Sequence, residues 1–271
     1  MTNKQGLGVV MDETALRKTD AGDPFAQAAA TIGDPMEFDL FVVRSLWNAH
    51  PSIAAMLCAS FLAPVRNRLN LPSAGVHMWD HFSCDAVTAV RLSTLVYPPE
   101  QVRLDESRNE RKKPAPGYPF YRWGGGDPDR AYAAWAMKQG VMISGGIHTI
   151  TQRRGLVQLR APWDEPAVML LDAAYSDPVY DRAEGTIGVR WVEWLSAQDL
   201  GSLQTWLQRE TRQSLSRELS TTRSEMSTWA NLAFTERLLH KAFGIGHPDG
   251  ETMCDARSWS KVVRCCDRGA W

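Results

Sequence analysis

The chain has 271 residues, 44% of them hydrophobic and 23% charged, with 30 Lys and Arg against 31 Asp and Glu and a formal net charge of −1. That length holds one large domain or two modest ones, each able to bury a core. The near-neutral balance excludes a global positive field that would recruit nucleic acid, so any DNA contact needs a local basic patch. The first twenty residues are polar, so no secretory signal is expected. The most apolar stretch, Ile53 to Ala63, is too short to cross a bilayer. Five unevenly placed cysteines fit a reducing cytosol better than a disulfide scaffold, and a cytoplasmic location is the expectation.

In chain order, residues 1–35 read as a flexible leader, with Gly6, Gly8, Gly22 and Gly33 among polar residues. Phe38, Phe41, Val42 and Leu46 then fall on one helical face. After His50-Pro51, a second helix carries Ile53, Met56, Leu57, Phe61 and Leu62, ending near Pro64. Val76 to Phe82 and Ala86 to Leu95 are rich in strand formers and flank the polar turn Ser83 to Asp85, so an antiparallel pair is expected. The polar run from Pro98 to Gly117 includes the basic segment Arg108 to Lys113, interrupted by acids and read as a solvated face. Beyond Tyr118 to Trp123 and a glycine break, a helix is expected from Asp127 through Ala131, Ala134, Trp135 and Met137, closed by Gly140. Two further strands, Val141 to Thr151 and Gly155 to Trp163, would be joined by the turn Gln152-Arg153-Arg154.

This order predicts an α+β protein whose α/β/α layered first domain, residues 36–172, has an antiparallel sheet. Pro178, Gly185 and Gly188 break up the next stretch, and residues 173–193 read as a linker. Residues 194–245 then read as a small all-α helix-turn-helix domain, and 246–271 as a tail. Ser196 stands three residues before Asp199 and Thr222 three before Glu225, the spacing of a capping box, and Thr211 sits where it would cap a middle helix. Leu200, Leu203 and Leu207 mark one helix face, Leu215 and Leu219 a second, and Met226, Trp229, Ala233 and Arg237 a third.

Leu195-Ser196, Asp199, Leu203, Thr211, Leu215-Ser216, Leu219, Thr222 and Met226 resemble the signature of LuxR-type DNA-binding domains. Tyr97-Pro98, Trp123, Gly140 and Gly145 resemble positions of the sensor half of LuxR-type acyl-homoserine lactone receptors. The two resemblances cover residues 37–171 and 194–245. They imply a quorum-sensing transcription regulator whose sensor domain holds a small apolar signal molecule. A ligand pocket would be lined by Tyr97, Trp123, Trp79, Trp135 and Asp105. Asp105 and Gln101 stand where those receptors carry a tyrosine and a tryptophan, which points away from an ordinary acyl-homoserine lactone. DNA would be met by Arg212, Arg217, Arg223 and Arg237 at phosphates, with Ser224, Ser227, Thr228 and Asn231 at base edges. A homodimer, or a heterodimer with a related receptor, is the implied assembly. The alternative is a partner protein that does not bind DNA and disables an intact receptor.

Other patterns point to little. His77 and His81 are four apart on an expected strand, and Cys254, Cys265 and Cys266 lack paired zinc-ligand spacing, so no metal is expected. Cys84 beside His81 and Asp85 sets no catalytic geometry by itself, and Ser144-Gly145-Gly146 is not a nucleophile elbow. A phosphate-cradling glycine motif is absent from the sequence. The chain is not expected to be an enzyme or to carry a cofactor.

Overall fold

The computed structural model describes residues 24–79, 85–99, 101, 103–105, 117–123, 140–146, 149–150, 155–162, 165–175, 177–215 and 223–246. Three helices come first: α1, Pro24–Thr31; α2, Pro35–Ala49; and α3, Pro51–Leu69. Both long ones begin in the way their sequences favour. Asp34 accepts a hydrogen bond from the Met36 amide at 3.0 Å, ahead of Pro35 at the first helical position. His50 does the same for α3, its Nδ1 accepting from the Ser52 amide at 3.1 Å before Pro51.

Helix α3 is the buried axle of the molecule, with every residue from Ser52 to Val65 inaccessible. Pro64 does not end it; the helix runs on to Leu69 and closes on Asn70 in the left-handed conformation (φ 51°). A proline at position 64 has no N–H for the carbonyl of residue 60. That carbonyl accepts instead from the Tyr97 hydroxyl at 3.1 Å, and its neighbour, the Phe61 carbonyl, accepts from Trp191 Nε1 at 2.9 Å. The carbonyl freed by Pro64 is thus satisfied by a side chain from elsewhere in the chain.

Strand β1, Ala74–Trp79, leads into α4, Asp85–Ser93, and a 3-10 turn over Thr94–Val96. Strands β2, Arg103–Asp105; β3, Phe120–Trp123; β4, Val141–Gly146; and β5, Leu156–Arg160 follow. They form one sheet in the order β2-β3-β4-β1-β5, and every adjacent pair is parallel. This overturns the expected antiparallel sheet and makes the architecture α/β. The segment 86–95, rich in β-branched residues, is not a strand. Its buried residues Ala86, Ala89, Val90 and Ser93 recur at helical spacing, and burial decides over intrinsic propensity. β4 and β5 form no hairpin either, because β1 lies between them. The near-continuous burial of β1 and β4 belongs to strands covered on both faces, as parallel sheets require.

Five more helices complete the described chain: α5, Glu165–Ala174; α6, Asp177–Arg182; α7, Thr186–Ser196; α8, Leu200–Leu215; and α9, Arg223–Phe243. The stretch expected as a linker holds α6 and most of α7. Gly188 lies inside α7, where a Cβ would stand 2.3 Å from Tyr97 Cδ1, so glycine here permits close packing and does not mark a break. Asp39 of α2 is buried, and its Oδ2 accepts from both the amide and the hydroxyl of Thr186 at 2.7 Å, capping α7 from another helix.

The expected three-helix reader is not the arrangement found. α8 runs unbroken through Glu210-Thr211, and the Thr211 hydroxyl donates back to the Leu207 carbonyl at 3.0 Å without capping a new helix. Ser196 ends α7, and Asp199 alone caps α8 by accepting from the Ser202 amide at 2.7 Å. Leu203, Trp229, Leu232, Phe234, Leu238 and Leu239 belong to the same cluster of buried side chains as Val76, Ile143 and Leu159 of the sheet. The C-terminal helices therefore share the core of the sheet and form no separate small all-α unit. No helix among the described residues is long and apolar enough to cross a membrane.

Candidate ligand site at the carboxyl rim of the sheet

Side chains alternate across a strand, so each strand divides its residues between two faces. Ala74, Val76 and Met78 of β1, Val141 and Ile143 of β4, and Val157 and Leu159 of β5 join the cluster formed with the helices. The helix-side face is thus wholly apolar along these strands. Helix α4 approaches it so closely that a Cβ on Gly145 would stand 2.5 Å from the Ala86 carbonyl oxygen.

The opposite face differs row by row. Its lowest row is apolar, where Met142, Leu156 and Ile150 cluster with Phe120. The next row is polar, since the register sets Ser144 beside His77 and His77 beside Gln158. His77 and Ser144 are both buried, with His77 Nδ1 2.9 Å from Ser144 Oγ. Gln158 Oε1 accepts from the Ile150 amide at 2.7 Å, tying the segment after β4 to β5. These bonds satisfy groups that burial would otherwise leave costly.

The uppermost row lies at the carboxyl ends of the strands, where ligands of open parallel sheets bind. There Trp79 is in register with Gly146 on one side and Arg160 on the other. The Arg160 guanidinium lies over the Trp79 ring, 5.9 Å from its centroid. Past Trp79 the chain turns into α4, whose first turn carries Asp85.

Of the residues expected in a ligand pocket, Trp79, Trp123 and Asp105 end strands at this carboxyl rim, whereas Tyr97 lies elsewhere in the core. Tyr97 is buried structure, with its hydroxyl donated to Ser60, its ring edge-on to Tyr118 at 5.2 Å, and Gly188 packed against it. Burial, with the neighbouring Tyr121 and Tyr118 hydroxyls, pushes its phenol well above the usual value. Trp79 alone among the five is seen at the carboxyl rim with its side chain. Trp123 ends β3 and Asp105 ends β2, but their side chains lie outside the described residues, as does all of Trp135.

The residues expected at DNA do not share one outward face. Thr228 is buried and donates to the Gly155 carbonyl at 3.0 Å, and Asn231 is also buried. Ser227 and Arg237 are half-buried, and Arg212 is exposed on α8. Arg223 and Ser224 open α9 with side chains outside the described residues, and Arg217 lies wholly outside them. So do residues 1–23 of the expected leader, the basic run Arg108 to Lys113, the turn Gln152 to Arg154, His81, Cys84, and the tail with its three cysteines. No cluster of three or more metal-ligating side chains occurs among the described residues.

The fold and the rim together define a parallel, helix-covered α/β domain in which β1, between β4 and β5, is followed in the chain by α4. No protein-family model matches the sequence, and no curated protein matches it significantly. Among solved structures, a chain described as SCCmec type IV Cch, active helicase, superimposes with a TM-score of 0.56 at 11% identity. The match covers 93% of this chain and 52% of that one, so the chain spans about half the helicase's length. At that identity the likeness concerns fold.

What the sequence reading missed was the rim itself. Arg160 and Gly146 carry no motif, whereas Trp79, Trp123 and Asp105, expected around a ligand, each end a strand there. Their meeting depends on β4 and β5 flanking β1, which no local pattern announces.

Proposed function

We propose that this chain is a nucleotide-fold module related in architecture to a helicase core, which does not turn over nucleoside triphosphate and acts by binding. The observation that carries the reading is the composition of the segment that joins β1 to α4. In a phosphate-binding strand-turn-helix unit, glycines let backbone N–H groups cradle the phosphates, a lysine reaches the terminal ones, and the helix N-terminus adds positive potential. Here the connection reads Asp80-His81-Phe82-Ser83-Cys84-Asp85, with neither glycine nor lysine. Asp85 sits in the first turn of α4, where its negative charge opposes the positive potential a phosphate would need. Asp80, in the same stretch of sequence, adds a second acid where a polyphosphate would need positive charge.

The test is direct. The purified chain, with magnesium and ATP, is expected to release phosphate no faster than buffer. Calorimetry with millimolar ATP should give no saturable heat. Turnover that follows the protein through purification would overturn the reading.

A competing reading, DNA recognition by a transcription regulator, draws on the exposure of Arg209 and Arg212 on α8. It expects salt-sensitive duplex binding weakened by Arg212→Ala, read by gel shift at two salt concentrations.

A further inference from the structure

Ser202, Thr205, Arg209 and Arg212 recur along α8 at intervals of three, four and three residues, the spacing that sets side chains in one row on a helix. All four are exposed, whereas Leu203 is buried and Trp206 and Leu207 are half-buried against the core. Helix α9 adds a further cation beside this row. Lys241 is exposed and lies over the Trp206 ring, 5.6 Å from its centroid, and Trp206 stands three residues before Arg209. The charge here is unanswered. Arg190 of α7, equally exposed, pairs with Glu193 at 3.0 Å, but Arg209, Arg212 and Lys241 form no ion pair among the described residues. The acid at the start of α8, Asp199, is engaged with the Ser202 amide at 2.7 Å. Position 210, the other acid of α8, falls about 100° round the helix from Arg209.

We propose that this outer row of α8, with Lys241 beside it, is a seam for the phosphate backbone of duplex nucleic acid, bound without regard to sequence. Arginine, lysine and hydroxyl side chains are the groups that hold phosphate oxygens and set a protein on a duplex, and such contacts carry no sequence information. The aromatic ring beside the row is committed to Lys241 and, edge-on at 5.7 Å, to Phe234. The row therefore supplies charge and hydrogen bonds, and not the base stacking on which single-strand binding draws. The chain as a whole is near neutral, so the attraction is local to this face and falls steeply with salt. The seam names a partner for the reading above, in that it rests on the chain acting by binding, but it does not depend on the absence of turnover.

The experiment follows the fluorescence anisotropy of labelled duplexes of two unrelated sequences, and of a single strand from one of them, as the full chain is added at several salt concentrations. Arg209→Gln, Arg212→Gln and Lys241→Gln are compared with wild type and with Arg190→Gln, each checked for fold by circular dichroism and melting temperature. All four positions are exposed, and glutamine has much the same helix propensity as arginine and lysine. Both duplexes are expected to bind alike. Raising the salt from about 50 to about 200 mM should weaken them about fortyfold, the slope that three neutralised phosphates give. Each substitution on the seam lowers that slope by about one, and Arg190→Gln leaves it unchanged. No duplex binding at the lowest salt, binding indifferent to salt, or an Arg190→Gln loss as large as that of Arg212→Gln would sink the seam. Tighter binding of the single strand would overturn the choice of a duplex, and a tenfold preference for one duplex would overturn binding without regard to sequence. ATP turnover with duplex binding intact would sink the non-hydrolysing reading and leave the seam standing.

Discussion

The two faces of the sheet are made by the same strands, yet they obey different rules. On the helix side, Ala74, Val76, Met78, Val141, Ile143, Val157 and Leu159 meet α3, α4 and α9. On the other side the same strands carry His77, Ser144, Gln158, Trp79 and Arg160. The first face gains its stability from area removed from water, which is non-directional. The second depends on pairing, because each buried polar atom must find its partner or pay the full cost of desolvation. Stability is therefore concentrated on one side, and chemistry is available on the other.

The largest expected effect tests the apolar side. Ile143→Ala removes a wholly buried side chain from the centre of β4 and should cost about 2–5 kcal/mol, read from denaturant midpoints at constant slope. A loss below that range would mean that this face is less tightly packed than its burial indicates. A smaller loss is expected across the sheet. Ser144→Ala takes one hydrogen-bond partner from His77 and should cost about 1–3 kcal/mol. Ser144→Thr, which keeps the hydroxyl, should recover part of this, whereas an apolar contact in place of a hydrogen bond would favour Ala over Thr.

The smallest effect concerns Asp39, an acid buried where α2 meets the start of α7. Burial holds the Asp39 carboxyl above its usual 3.8, and the hydrogen bonds from Thr186 offset this only in part. The folded state therefore keeps its proton to higher pH than the unfolded chain does. Stability should fall as pH climbs from 3.8 through the raised folded value, and then level off. Asp39→Asn, which retains an oxygen to accept from Thr186, should flatten that part of the profile in melting curves taken across acidic pH. An unchanged slope would place the titration elsewhere.

The two long helices near the start of the described chain were legible. His50-Pro51 announced one helix start, and the apolar period through Phe38 to Leu46 and Ile53 to Leu62 announced two buried faces, whereas Asp34-Pro35, which opens α2, fell in the expected leader. The stretch 86–95 misled because Val87, Thr88 and Val90 favour strands locally, whereas packing against β4 rewards the helical spacing of Ala86, Ala89 and Val90. The capping spacings near Ser196 and Thr211 were equally local, and both hydroxyls instead donate back along their own helices. The polar residues of α9 looked like a reading face. Thr228 and Asn231 are polar for the opposite reason, that they are buried and, in the case of Thr228, bonded to Gly155.

By itself, the amino-acid order determined the buried faces of α2 and α3, which segments are apolar, and that the sequence carries no phosphate-cradling glycine motif. These are properties of neighbours in the chain, set by caps, periodicity and turn chemistry. Strand direction, the placing of β1 between β4 and β5, and the meeting of Trp79 with Arg160 and Gly146 were decided only in three dimensions. Each joins residues far apart in sequence, and the energy that selects them comes from burying two faces of one sheet together, which no short window of sequence contains.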